Sequence, residues 1–209
     1  MSSYPAAKRV LDVSISLVLL VMLLPVFAFL FVTMGLDMLR CPRDRGPWLY
    51  RETRISRGRE FDLFKFRTLR REALAGMDET LHARMLEADP SNLTRAGRRL
   101  LKPWYLDELP QLWNVLRGDM SLVGPRPWPP QMVATQLANG LTYRIEFVAG
   151  WTGPVQVQKG VATPADYTAL DVAYVDRCRS AGSAAVLQAD ISLLWRTVRA
   201  IARGEGLEF

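Results

Sequence analysis

The sequence predicts a helix-rich α+β chain: an apolar N-terminal segment, residues 1–38, followed by one larger domain, residues 39–209. Three observations carry this reading. The stretch Val13–Leu36, VSISLVLLVMLLPVFAFLFVTMGL, holds no charged residue. The segments WLY and FDLFKF are aromatic-rich and bounded by turn residues, as short paired strands are. The stretches beginning at Asp107 and Asp190 space their apolar residues at helical intervals. At 209 residues the chain has room for one ordinary domain with an appendage.

The apolar run is long enough to cross a hydrocarbon core of about 30 Å as a helix. It is too long for an ordinary signal-peptide core, and no small-residue cleavage site follows it. Lys8 and Arg9 precede the run, whereas Arg40, Arg43, Arg45 and Arg51 follow it, so the positive-inside rule draws both ends toward the cytoplasm. Pro25, near the middle, lacks a backbone donor and opposes the carbonyl of Val21, which predicts a break. A helix that enters, bends and returns satisfies both observations. A straight spanning helix with a tolerated proline satisfies the length alone, and charge and spacing do not choose between the two.

Beyond the run comes a turn-rich basic segment, CPRDRGPWLYRETRISRGREFDLFKFRTL, with turns expected at Gly46-Pro47 and Arg57-Gly58. In its strands Phe61 and Leu63 face one way and Asp62 and Phe64 the other. Arg70 to Glu87 reads as a helix, with Asp89-Pro90-Ser91 as its stop. In LDELPQLWNVLRG, Leu109, Leu112, Trp113 and Leu116 fall at i, i+3, i+4 and i+7, one buried stripe. Asp107 is its natural N-cap, Pro110 suits the first turn and Gly118 the C-terminal stop. From Asp190 to Arg203, Ile191, Leu194, Val198 and Ile201 make an amphipathic helix. Packing on the domain is its default placement, and lying on the membrane is the second.

A carboxylate at a helix N-terminus is held ionised by unpaired N–H groups, and a phosphate is stabilised at the same place. Glu108 projects about 100° from Asp107 on such a helix, so the two acids suit different roles, such as nucleophile and Mg²⁺ ligand. Cations gather around them: Arg95, Arg98, Arg99 and Lys102 before, Arg126 after, in the stiff GPRP. That pattern makes a phosphate cradle. Acids capping a helix beside surface arginines make the same pattern, and spacing leaves the two readings open.

The net charge of +6 favours anionic partners, including an anionic lipid bilayer. Nucleic acid is not among them, because no helix-turn-helix, aromatic RNP-like pair or zinc spacing is present. Cys41 and Cys178 form no CxxC or Cys/His spacing and read as reduced structural thiols. His82 is the single histidine and lies in a charged stretch, which excludes a histidine cluster.

The blocks KRVLD, GPWLY, FDLFKFRTL, LTRAGRRL, LDELPQLWNVLRGDMSLVGPRP, WTGPVQV and DISLLWRTVRAIARGEG, in this order, resemble the bacterial sugar transferases, the monotopic phosphoglycosyl transferases. The resemblance covers nearly the whole chain. It implies a re-entrant membrane helix that never crosses the bilayer, an α/β catalytic domain on the cytoplasmic face of the bacterial inner membrane, and interfacial amphipathic helices. It implies transfer of a sugar 1-phosphate from a UDP-sugar to a polyprenol phosphate such as undecaprenyl phosphate, with UMP leaving, as the first membrane step of glycan assembly. By the same resemblance Asp107 is the nucleophile of a covalent phosphosugar intermediate, Glu108 ligates Mg²⁺, and Arg126 binds phosphate. Lys65 and Arg67, of KFRT, belong to the site, and Lys102 makes a phosphate contact.

Three departures from the pattern stand out. Leu24-Pro25 replaces a common Ser-Pro, Lys102 stands where an arginine is common, and LYRETRISRG and VQKGVATPADY differ from the usual donor-side segments. The lysine turns a bidentate phosphate contact into a point charge. The chain is short for the family, so a compact catalytic unit is expected; a homodimer stays open, as does the donor sugar. Two rivals make different predictions: a non-catalytic membrane scaffold forms no covalent adduct, and an Asp107 acting as general base gives no ping-pong kinetics.

Overall fold

The computed structural model describes residues 5–75, 83–158 and 164–203. Its elements run α1 (Ala6–Met22), α2 (Leu24–Arg40), β1 (Leu49–Ser56), β2 (Arg59–Phe66), α3 (Arg71–Ala75), α4 (Ala83–Glu87), α5 (Gln111–Arg117), β3 (Ser121–Val123), α6 (Pro130–Ala138), α7 (Tyr143–Glu146), β4 (Gly150–Thr152), α8 (Pro164–Ser180) and α9 (Ser183–Ala202). This is a helix-rich α/β chain with small sheets, β1 paired with β2 and β3 lying parallel to β4. It forms two compact units: Met1–Leu19, Glu52–Leu63 and Gln111–Glu208 make one, and Leu20–Arg51 with Phe64–Pro110 the other.

The predicted strand pair is a hairpin closed by Arg57 and Gly58, both at positive φ (50° and 72°). That is the turn whose twist matches the flanking strands. Leu63 is buried and Asp62 exposed, as the alternation required. The helix predicted over 70–87 begins as α3 and ends as α4, while His82 lies outside the described residues. At its stop, the Asp89 carboxylate accepts from the Ser91 N–H at 2.8 Å.

Two helices turn inward a face that departs from the one predicted, although Leu109 and Leu112 of the first predicted stripe are buried. In α5 the buried residues are Gln111, Leu112, Asn114 and Val115, while Trp113 is 55 % exposed. The helix starts three residues later than an N-cap at Asp107 would place it, because Leu106–Glu108 forms a separate 3₁₀ turn. Gly118, at φ +88°, does end it, giving its N–H to the carbonyls of Asn114 and Val115. In α9 the buried residues are Val186, Asp190 and Leu193. The predicted core stripe faces outward: Ile191, Val198 and Ile201 are exposed together with Trp195.

In the first unit the parallel pair β3–β4 is set by Ser121 opposite Gly150 and Val123 opposite Thr152. Leu112, Val115, Met120, Leu122, Val175 and Val186 are buried in this unit. Backbones touch at its centre. A Cβ on Gly150 would lie 2.0 Å from the Gly124 nitrogen and 2.5 Å from its Cα, and neither atom belongs to a side chain that can move aside. Gly150→Ala is therefore expected to cost more than about 4 kcal/mol, seen as a lost or strongly lowered melting transition.

α1 inverts the usual pattern. Its buried residues are Lys8, Asp12 and Ser16, at i, i+4 and i+8, whereas Val10, Leu17, Val18, Val21 and Met22 are exposed. Lys8 donates to Asp190 at 2.5 Å and to the Val123 carbonyl at 2.9 Å. Asp12 accepts from the Ser121 hydroxyl and the Leu122 N–H. Arg9 donates to the carbonyls of Val115 and Leu116, the unpaired end of α5. Lys8 and Arg9, read from the sequence only as positive charges flanking the apolar run, thus also hold the unit together.

In the second unit, α2 places Phe27 and Phe31 against Phe66, with ring centroids 5.9 and 5.5 Å apart, and Phe31 against Trp48. Leu30 and Met34 are buried, but Leu24, Phe29, Val32, Leu36 and Leu39 are exposed. The chain bends by 56° between α1 and α2, with Leu23 at the break and Pro25 in the first turn of α2. Among the described residues no single helix is long and apolar enough to cross a membrane.

Candidate active site

Asp107 sits in the 3₁₀ turn Leu106–Glu108, immediately after Tyr105, which holds a left-handed conformation (φ 53°, ψ 23°). A tyrosine there is strained, and such strain concentrates where a side chain must be aimed. Asp107 is buried, 1 % exposed. It is not the N-cap of α5, so the unpaired N–H groups expected to keep it ionised are not its partners. Burial instead pushes its carboxyl up from 3.8 to about 6, against the pull of Lys102, with Glu108 adding to the rise, Lys65 opposing it and Glu87 adding again. One oxygen, Oδ1, is buried without a hydrogen-bond partner; the other, Oδ2, accepts from Lys102 Nζ at 3.2 Å.

Lys102 reaches this place through a π-helical turn, Gly97–Leu101, closed by its own N–H on the Gly97 carbonyl. The turn packs so tightly that a Cβ on Gly97 would meet the Thr68 carbonyl at 2.5 Å. Burial works against the ammonium, but Asp107 and Glu87 outweigh it and hold its pKa above the usual lysine value. Of the predicted cradle in this stretch, only Lys102 turns inward; Arg95, Arg98 and Arg99 are exposed. Lys65 is close enough to act on Asp107 electrostatically. Glu108 is half-buried in the same turn.

Arg67 has a different place from the one expected. Its guanidinium is fully buried and donates to the carbonyls of Pro47, Leu69 and Asp44, at 2.8, 2.7 and 2.5 Å. Those donors are consumed in holding the 44–47 loop, so Arg67 is scaffold, not a phosphate contact. Asp44 carries the same loop, accepting from Arg70 Nε and from the Arg95 N–H.

Arg126 belongs to the other unit, in the GPRP that follows β3. Its carbonyl accepts from Arg144 Nη1. Arg144 is buried, donates to Asp171 at 2.7 Å and Gln136 at 2.9 Å, and stacks 4.1 Å from the Trp128 ring. Burial raises the Asp171 carboxyl to about 6 against the pull of Arg144 and its hydrogen bonds.

The sequence reading missed Glu87, Thr68, Arg144 and Asp171. Thr68 lay within the quoted KFRTL block, but Glu87 closes a stretch that reads as a solvated charged helix. Arg144 and Asp171 are single charges in mixed segments with no spacing to mark them. The signal that was available is in α1, where Lys8, Asp12 and Ser16 recur at helical spacing in an otherwise apolar run.

Among the described residues no group of three His, Cys, Asp or Glu is arranged to hold a metal ion. A closed protein cage for a cation is therefore not what these residues make. Mg²⁺ is ordinarily held by one or two carboxylates together with substrate phosphates and waters, and the orphaned Asp107 oxygen beside Glu108 fits that donor set.

The model of the bacterial sugar transferases matches residues 3–204. The chain is 39 % identical over 125 residues to the undecaprenyl-phosphate glucose phosphotransferase of Komagataeibacter xylinus, covering 59 % of this chain and 21 % of that protein. It is 32 % identical over 217 residues to the undecaprenyl-phosphate galactose phosphotransferase of Salmonella typhimurium, covering 95 % and 41 %. To the UDP-N-acetylgalactosamine-undecaprenyl-phosphate N-acetylgalactosaminephosphotransferase of Aeromonas hydrophila it is 30 % identical over 212 residues, covering 97 % and 45 %. The chain spans less than half the length of each of these three relatives. With a match running through both units and through the LDELPQ and GPRP blocks, the chain belongs to the bacterial sugar transferase family.

Proposed function

We propose that the chain transfers a sugar 1-phosphate from a UDP-sugar to a polyprenol phosphate, such as undecaprenyl phosphate, through a covalent intermediate on Asp107. The observation that carries this is the Asp107 carboxylate: buried, one oxygen without a partner, the other on a lysine. A carboxylate serving as a helix cap would have an oxygen on a backbone N–H group, whereas here Oδ1 has no partner and Oδ2 takes the lysine. The names of the relatives point the same way for acceptor and reaction class.

In the first half-reaction an Asp107 oxygen bonds to the phosphorus that bears the sugar. The bond from that phosphorus to the bridging oxygen breaks, and its electron pair leaves on UMP. In the second, a polyprenol phosphate oxygen attacks the same phosphorus and the carboxylate returns. No proton moves in either step, so what the protein must supply is charge neutralisation and alignment. Lys102 and Lys65 would face the transferring phosphoryl group, and Arg126 would hold a phosphate of the substrate. Glu108 would hold Mg²⁺, which when bound neutralises diphosphate charge that repels a carboxylate nucleophile.

The same reading has the chain monotopic, on the cytoplasmic face of the bacterial inner membrane, with residues 1–38 entering the bilayer and returning. Its support is the outward apolar faces of α1, which buries Lys8, Asp12 and Ser16, and of α2, which together leave Leu17, Val21, Phe29 and Val32 exposed, and the bend at Leu23. The exposed Ile191–Trp195–Val198 face of α9 suits the interface of an anionic bilayer. Pro25→Ala restores a donor and removes the clash with Val21, so it is expected to straighten the pair. Thiol labelling of single cysteines at both ends would then report opposite sides, where the wild type reports one.

The deciding experiment is intact mass analysis of nanodisc-held protein with Mg²⁺ and a panel of UDP-sugars, without acceptor. A gain of one sugar phosphate is expected. No gain with any donor, and no UMP release when polyprenol phosphate is added, sinks the proposal.

Lys102→Met tests the electrostatics of the nucleophile. Lys102 pulls the Asp107 titration down, so its loss moves the carboxyl above about 6 and leaves less of it ionised at neutral pH. The acid limb of kcat/KM, expected near pH 6 in the wild type, should move upward by roughly one pH unit, with activity partly recovered at high pH. An unmoved limb would remove Lys102 from this role.

A further inference from the structure

Glu87 and Asp107 are both carboxylate neighbours of Lys102, and the nearer one is not the proposed nucleophile. Its Nζ lies 2.6 Å from Glu87 Oε2 and 3.2 Å from Asp107 Oδ2. The first distance is that of a strong charge-assisted hydrogen bond, and the second is long for one. The other Glu87 oxygen accepts from the Thr68 hydroxyl at 2.9 Å, so Glu87 is itself fixed at both ends. Thr68 is buried, and its carbonyl packs on the π-helical turn that carries Lys102. The chain of contacts Thr68–Glu87–Lys102–Asp107 thus runs from the scaffold to the reacting carboxylate.

An ammonium buried beside a single carboxylate closes onto it, because nothing else offers an acceptor charge. Had Lys102 only Asp107, it would tie up a lone pair of the nucleophile in an ion pair that must break before phosphorus can approach. Glu87 removes that trap by offering a closer acceptor that takes no part in bond making. We propose that Glu87 is a positioning residue for this reaction: it holds the Lys102 ammonium off the nucleophile and keeps it in place while Asp107 is converted to the phosphosugar ester and back. This rests on the reading of Asp107 as the nucleophile. In the ester the carboxylate's charge has left with UMP and the phosphoryl group keeps the single negative charge it brought, and a lysine anchored on Glu87 stays beside that group for the second half-reaction.

The test is Glu87→Gln, which keeps the shape and the acceptor for Thr68 and removes the charge. Single-turnover adduct formation is followed by intact mass over hours, so that slow variants are still measured. The expected result is a rate at saturating UDP-sugar lowered about tenfold, an ordinary coupling for contacting charges, with the half-saturating donor concentration unchanged and the variant still folded. In a Lys102→Met background, Glu87→Gln should add no further loss, because there is no ammonium left to hold. An unchanged rate, a loss confined to half-saturation, or an equal loss in the Lys102→Met background overturns the proposal. Absence of adduct in the wild type in the same run overturns the nucleophile reading instead, and the control alone reveals it.

Discussion

Asp107→Asn is expected to form no phosphosugar adduct and to lose turnover by at least about 10³-fold, yet to be more stable than the wild type at pH 8 in metal-free buffer. The first half follows from chemistry, since an amide keeps the shape and lacks the nucleophilic oxygen. The second half follows from burial. A carboxyl that titrates at about 6 when folded and near 3.8 when unfolded binds its proton more tightly in the folded state. Its contribution to stability is complete below the unfolded value and is lost as pH rises through the folded one. That displacement corresponds to about 3 kcal/mol at most, and the loss of the Lys102 contact takes back part of it, so a gain of roughly 1–2 kcal/mol is expected for Asn at pH 8. The gain should vanish near pH 4. A less stable variant at pH 8 would mean that the ionised carboxylate is well paired, contrary to its orphaned oxygen, and an adduct on the variant would remove Asp107 as nucleophile. The wild type carries an ionised group in a costly place, as stability traded for reactivity requires.

How much of this could be read beforehand depends on the range of the interaction. The hairpin was legible because Arg57-Gly58 and its aromatic flanks are local signals, and so was the break before Pro25, which one missing N–H dictates. The faces of α5 and α9 were not. Periodicity finds a helix, but which side is buried depends on partners distant in sequence, and in α9 the inward residue that matters is Asp190, whose partner Lys8 lies 182 residues away. Apolar spacing pointed to Ile191 and Val198 because it assumes that water lies outside. Within the candidate site, the LDE motif pointed to Asp107, but the environment of that carboxyl came from tertiary contacts. The 3₁₀ turn replaced the expected N-cap, the KFRT arginine went to backbone carbonyls, and Glu87 entered from a segment with no mark of function.

Lys8→Met should destabilise the protein by about 3–5 kcal/mol, the usual cost of removing one partner of a buried ion pair. Lys8 is fully buried and Asp190 1 % exposed. Without the ammonium, Asp190 keeps, among the described residues, the Tyr174 hydroxyl at 2.7 Å, and the Val123 carbonyl loses a donor at the end of β3. Asp190→Asn in the Lys8→Met background removes the stranded charge, so the double variant should recover part of the loss, and the two costs should fall well short of additive. Melting of detergent-held protein measures both. The alternative is that Lys8 acts only as a topology charge beside the apolar run. On that view Lys8→Met melts like the wild type and changes the labelled side of the N-terminus, an outcome that would remove the ion pair as a structural element. The same contacts bear on the boundary near Met38. Deleting residues 1–38 strips Lys8 from Asp190, Asp12 from Ser121 and Leu122, and Arg9 from the end of α5, all in one unit. A chain starting at residue 39 is therefore expected to aggregate, whereas a dispensable anchor could be removed to leave a folded domain. The helix that offers its apolar side outward is, on its other side, part of the fold that carries Arg126.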